Sequence, residues 1–225
     1  EAGWELPIGA IGSGWLYEGQ SVDTIAFTSN GVMTVGGYQG TFPVPARLPS
    51  EDAPSGVIAP FWSDFMFMAG EGEIRYDIIS DGIDTYLIIE WYNAAAYFDA
   101  TYCDNTGTRY TFNAWFKLGT DEVYFNYVDV NQAEMPYWGS VIGVENLMGT
   151  VGETYFMDDG AGNVSGSYPT DFDSLLVKVG ASDRAELQVD MNLNVSTFGD
   201  VSAATQTGAH SQPIAIDLTD SIGDP

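Results

Sequence analysis

The sequence predicts an all-β fold: an antiparallel β-sandwich, jelly-roll-like or Greek-key, with few or no helices. Three observations predict it. Apolar residues recur with period 2, the spacing that sends alternate side chains to one face of a sheet. No stretch sustains the 3.6-residue period of an amphipathic helix. The 26 Gly and 10 Pro fall mostly between the alternating runs, where turns belong. At 225 residues, 45% hydrophobic and 14% aromatic, the chain can bury a sizeable core, so its charge does not signal disorder. A β-rich domain can run to this length undivided.

The elements follow in order. Val22 to Thr28 runs into Ser29, Asn30 and Gly31, then returns along Val32 to Val35; Asn-Gly supplies the positive-φ positions of a tight hairpin. Val57 to Trp62 is a short continuous apolar run, which places it in the middle of the fold. Glu73 to Ile79 turns through Ser80, Asp81 and Gly82 into Thr85 to Tyr92. From Arg109 to Leu118, Tyr110, Phe112, Ala114, Phe116 and Leu118 face inward, while Arg109, Thr111, Asn113, Trp115 and Lys117 face outward. Val123, Phe125 and Tyr127 continue the inward face of the return strand. A slip of one residue would expose that whole aromatic face, so the register is firm. Val141 to Val144 and Thr154 to Met157 close the main body, and Leu175 to Val179 adds a strand. Ala185 to Val195 alternates without error over its whole length. Residues 1–198 therefore read as one sandwich domain, with 170–198 as additional strands. Residues 199–225 read as a Ser-, Thr-, Ala- and Gly-rich linker and a last short strand carrying Ile214, Ile216 and Leu218 on one face.

Charge removes several functions. Thirty-two acidic side chains stand against six basic ones, a net charge of −26. Nucleic-acid binding needs Lys and Arg to replace phosphate counterions, and attachment to an anionic membrane needs the same residues. No apolar run approaches the roughly 20 residues of a membrane span, so membrane insertion is not expected. Solubility in salty or acidic surroundings is the plainer reading of the charge, and binding of a cation such as Ca²⁺ the functional one. Cys103 is the single cysteine, which excludes an intrachain disulfide and a cysteine-based zinc site. The chain opens at Glu1 without an initiator Met, as a processed secreted protein or an excised fragment would.

The middle of the chain resembles a known family. Thr28 to Gly36 is similar to its SSNGxLxFG hairpin, and Ile58, Ala59, Pro60, Phe61, Trp62, Ser63 and Asp64 to its IAPFWxD signature. Glu73 to Tyr76 resembles a GxIxY strand, and Ile89 to Asn93 an xEWYN strand. Tyr110 to Phe116, Glu122 to Val130 and Val141 to Gly149 follow in the family's order. Over about residues 6–160 the chain is thus similar to the nidogen-like (NIDO-type) extracellular β-sandwich of secreted and surface-anchored microbial proteins. The resemblance implies an extracellular, non-catalytic module. It carries over no ligand and no catalytic residue.

Candidate chemistry is sparse. A hydrolytic triad needs a base beside its nucleophile, and the only histidine, His210, lies in the polar tail. Glu90, on an otherwise apolar strand beside Trp91, reads as a hydrogen-bonded Glu of the sheet rather than half of a glycosidase pair. No catalytic residue is assigned, and the chain is not expected to be an enzyme. Ca²⁺ prefers closely spaced carboxylates in loops; Asp158, Asp159 and Asn163 are the first choice among several acidic turns. Trp115, Tyr137 and Trp138 are candidate aromatic contacts for a sugar ring or a neighbouring chain. Asn163 and Asn194 each open an Asn-Val-Ser sequon, a glycosylation signal in a secreted protein.

The tail is the least ordinary feature. An apolar strand at the end of a linker must fold back on its own sheet or add to another molecule's. Head-to-tail donation would build an open filament. The expected function is therefore a structural subunit of an extracellular or cell-surface assembly, a homo-oligomer or filament. The alternative is a glycan- or protein-binding module of an adhesin-like surface protein.

Overall fold

A computed structural model describes residues 2–52, 54–67, 70–97, 108–130, 136, 138–178, 186–191 and 214–217. The fold is a β-sandwich, and every strand pair in it is antiparallel. No helix occurs among the described residues.

The chain crosses between two sheets in four passes. The first pass lays down β1 (Gly3–Pro7), β4 (Thr24–Thr28), β5 (Met33–Val35) and β6 (Val57–Trp62), with the hairpin β2 (Trp15–Tyr17) and β3 (Gln20–Val22) set apart. The second builds β7 (Phe65–Met66), β8 (Glu73–Ser80), β9 (Thr85–Ala96), β10 (Arg109–Lys117) and β11 (Glu122–Val130) into the opposite sheet. The third returns with β12 (Ser140–Glu145), β13 (Gly152–Asp158) and β14 (Val164–Gly166). The last adds β15 (Ser174–Lys178), β16 (Glu186–Met191) and β17 (Ile214–Asp217) to the second sheet. The seven-stranded sheet has the order β1-β4-β5-β6-β12-β13-β14. The eight-stranded sheet runs β17-β16-β15-β11-β10-β9-β7, with β8 also paired to β9. The apolar run expected mid-fold is β6, central in its sheet and buried at every residue.

Aromatic side chains fill the space between the sheets. Phe61 meets Phe65, Tyr110 and Phe112 edge-on at 5.3–5.5 Å between ring centroids. Trp91 stacks on Phe112 at 5.2 Å. Rings of this size each remove a large apolar area from water, and their edge-to-face geometry adds to that. Their polar atoms cross the core to backbone: Trp91 Nε1 donates to the Thr28 carbonyl at 2.8 Å, and Tyr127 Oη to the Pro60 carbonyl at 2.8 Å. Each bond ties one sheet to the other and satisfies a donor that burial would otherwise penalise.

The Asn30-Gly31 turn differs from a solvent-facing hairpin turn. Asn30 is fully buried; its Oδ1 accepts from the Phe65 amide at 3.0 Å and its Nδ2 donates to the Thr41 carbonyl at 2.9 Å. Gly31 has φ +67°, and a Cβ there would stand 2.0 Å from the Phe61 carbonyl oxygen. The turn is a joint between β5, β6 and β7, which is why those residue types are needed.

Candidate functional site

Five polar side chains line up across five strands on the outer face of the eight-stranded sheet. The register sets Arg75 opposite Glu90, Glu90 opposite Asn113, Asn113 opposite Asn126, and Asn126 opposite Ser174. Arg75 Nε donates to Glu90 Oε2 at 2.6 Å. Asn126 Nδ2 donates to Asn113 Oδ1 at 2.9 Å, and Ser174 Oγ donates to Asn126 Oδ1 at 2.5 Å. The Arg75 guanidinium also lies 4.2 Å from the centre of the Tyr92 ring. Glu90 is 2% exposed and Asn113 is fully buried. Burial pushes the Glu90 carboxyl above its ordinary value, and the bond and charge of Arg75 and the nearby Asn113 amide act against that rise. Asn113 Nδ2 itself makes no hydrogen bond of good geometry.

Glu90 is therefore a buried carboxylate held by an arginine, as expected for a sheet glutamate. The register brings it two amides and a hydroxyl, a row that holds strands in register. Sequence reading saw Arg75, Glu90 and Asn113 singly. The signal available was a polar residue in the middle of each of four alternating strands.

Trp115 departs from expectation. It lies on the outer face of β10 but is only 9% exposed, because Tyr86 packs against it at 5.8 Å between ring centroids while Tyr124 and Ile88 stand directly opposite on the flanking strands. Its Nε1 is buried and unpartnered. The strand predicted to be half-buried is buried on both faces: Thr111 and Asn113 are covered as well. Trp138 is 40% exposed. Tyr137 lies outside the described residues.

The acidic candidates for Ca²⁺ serve a turn. Asp158 Oδ1 accepts from the Gly160 amide at 2.9 Å. Asp159 Oδ1 accepts from the amides of Ala161 and Asn163, and the Asn163 side chain donates to Asp159 Oδ2 at 2.7 Å. These bonds hold Asp159 below the usual carboxylate range, the Asn163 side chain contributing most. Among the described residues no three His, Cys, Asp or Glu side chains gather as a metal site. Asn163, the residue before β14, is exposed and accessible as a sequon asparagine. Asn194, Cys103, His210 and Leu218 lie outside the described residues.

A second buried carboxyl was not singled out from sequence. Glu145, at the end of β12, is fully buried; its Oε2 accepts from the Ser50 amide at 2.8 Å, while Oε1 has no partner. Burial raises its pKa to about 7, against the lowering effect of bonds from the Ser50 and Val57 amides. Tyr17 Oη donates to the Glu145 carbonyl, fastening the β2–β3 hairpin to the same point. Beside that hairpin a groove of about 300 Å³ opens, lined by Tyr17, Gln20, Asp23, Thr24, Gly36 and Leu147 among others, with Asp23 its one carboxylate.

The strands of assembly interest stand at the two edges of the eight-stranded sheet. β17 pairs with β16 of its own chain, setting Ile214 opposite Val189 and Ile216 opposite Leu187. At the other edge, β8 pairs with β9 and with no further strand among the described residues.

A family model described as NIDO related matches residues 9–171. That span takes in everything from the β2–β3 hairpin through β14, and stops before β15. No curated protein and no solved structure matches the chain.

Proposed function

Because the chain belongs to the NIDO-related family, whose modules are generally extracellular, we propose that it is a non-catalytic structural subunit of a cell-surface assembly or filament. Copies join through their C-terminal strands. The observation that carries this reading is the seat of β17. It closes one edge of the eight-stranded sheet, and residues 192–213 separate it from the strand it pairs with. A strand so tethered can fill that slot in its own sheet or in a neighbour's, with the same register in both cases. Donation from copy to copy makes an open chain of subunits. Nothing in this mechanism requires a cofactor.

Deleting residues 205–225 tests the reading. Light scattering and electron microscopy should show polymers of the full chain reduced to single chains or pairs. Unchanged polymers would overturn it. The binding-module alternative has less support, since of Trp115 and Trp138 only the latter is exposed.

A further inference from the structure

We propose that the outer edge of β8, which no second strand pairs among the described residues, is a self-pairing surface, joining two copies across a twofold axis at Tyr76. The inference rests on reading the chain as a self-assembling module, and it names a second contact distinct from β17.

The backbone of β8 sets which groups are free. The β8–β9 hairpin closes with the Asp81 amide donating to the Asp84 carbonyl at 3.2 Å. Counting back along the register from that bonded pair, Glu73, Arg75, Asp77 and Ile79 direct their amides and carbonyls to β9. Ile74, Tyr76 and Ile78 direct theirs outward. The Ile78 amide confirms the parity: it donates to the side chain of the neighbouring Asp77 at 2.8 Å, not to β9. In the pair, Asp77 would turn from this amide to the partner's Arg75, releasing the Ile78 N–H to the partner's Ile74 carbonyl.

Two copies of this edge can meet antiparallel so that the outward groups bond to each other only when Ile74, Tyr76 and Ile78 oppose residues of the same set. Overlap and charge together choose among those registers, since registers centred on Ile74 or Ile78 pair fewer residues of β8. With Tyr76 opposite its own copy, Ile74 faces Ile78, and Arg75 faces Asp77 twice, once on each side of the axis. Moving either strand by one step of the repeat sets Arg75 against Arg75 and Glu73 against Asp77, or Asp77 against Asp77. Like charges directly opposite are destabilising, and opposite charges stabilising. The favoured register also extends both faces of the sheet. Tyr76 and Ile78, 57% and 44% exposed, stand opposite the buried core residues Ile89 and Leu87 on β9, so they prolong the apolar face past its cover. On the other face, the partner's Asp77 takes the next place in the polar row after Arg75.

Sedimentation velocity of the full chain, from micromolar to millimolar concentration, reads the contact. The wild type should grow from one chain's mass to two and beyond, while the chain lacking residues 205–225 should stop at two. Tyr76→Lys puts two ammonium groups on the axis and should weaken pairing by about tenfold or more. Ile83→Lys, at the 91% exposed hairpin tip, should leave it unchanged. Register is read in a Cys103→Ser background, where oxidised Tyr76→Cys should crosslink to its own copy and Asp77→Cys should not. Pairs that survive deletion of residues 205–225 and fall apart with Tyr76→Lys support the β8 edge. Association abolished by that deletion but indifferent to Tyr76→Lys overturns the β8 edge and leaves the C-terminal strand as the joint. A chain that stays monomeric throughout overturns both.

Discussion

Glu145 is a carboxyl group for which the fold provides half of what a charge needs. One oxygen takes the Ser50 amide at 2.8 Å, and the other makes no hydrogen bond of good geometry, although the Val57 amide lies near the carboxyl. Its pKa near 7 means that the folded chain binds a proton where the unfolded chain, with an ordinary glutamate, has already released it. Between those two values the folded state holds more protons, so this group's contribution to stability falls as pH rises and is greatest in acid. Glu145→Gln removes the titration and keeps an acceptor for Ser50. Urea unfolding should show the variant about 2 kcal/mol more stable than wild type at pH 8. At pH 5 the difference should largely vanish. Equal differences at both pH values would show that Glu145 does not titrate in this window.

At the scale of elements, the turn between β4 and β5 is tightly constrained. Gly31→Ala forces a side chain into positive φ and against the Phe61 carbonyl. Its cost in urea unfolding should be at least about 2 kcal/mol, combining the backbone penalty with displacement of β6. The sequence located this turn but did not show that it is buried, because residue types tell what φ a position needs and not what lies above it. The same limit explains β10. Its alternation, and that of β11, was readable to within a residue, since period 2 is local. That Trp115 and Asn113 would be covered was not readable, because what covers them comes from other strands. The polar row needed the alignment of five strands, and a bulge between Thr111 and Phe112 shifts that alignment by a residue. The short strands β1, β2, β7 and β14, of two to five residues, show too little alternation to be seen without their partners. Glu145 reads from sequence as one more acid on a chain that has 32.

The whole molecule combines an aromatic interior with an acidic surface on which four of the six basic side chains are committed to ion pairs. Arg75 pairs with Glu73 and Glu90, Arg109 with Glu71, Lys117 with Asp84, and Lys178 with Glu122. All four lie within strands of the eight-stranded sheet. Copies that associate must therefore do so against a net charge of −26 each, so contacts between them should strengthen as added salt screens that repulsion. The placement of the cations has a further consequence, for proteolysis. Trypsin cuts only after Lys or Arg, and it needs several residues of extended, unpaired backbone to do so. Four of the chain's six sites are held in strands and ion pairs, and Arg184 lies outside the described residues. Of the described sites, that leaves Arg47, exposed and outside any strand, as the point of attack, slowed by its neighbour Leu48, which is buried and bonds Thr154 Oγ1 through both its amide and its carbonyl. Mass spectrometry of a timed native digest should show cleavage there well before any cut at Arg75, Arg109, Lys117 or Lys178, whereas in urea all should be cut together. In the extracellular role proposed above, the scarcity of lysine and arginine would double as armour.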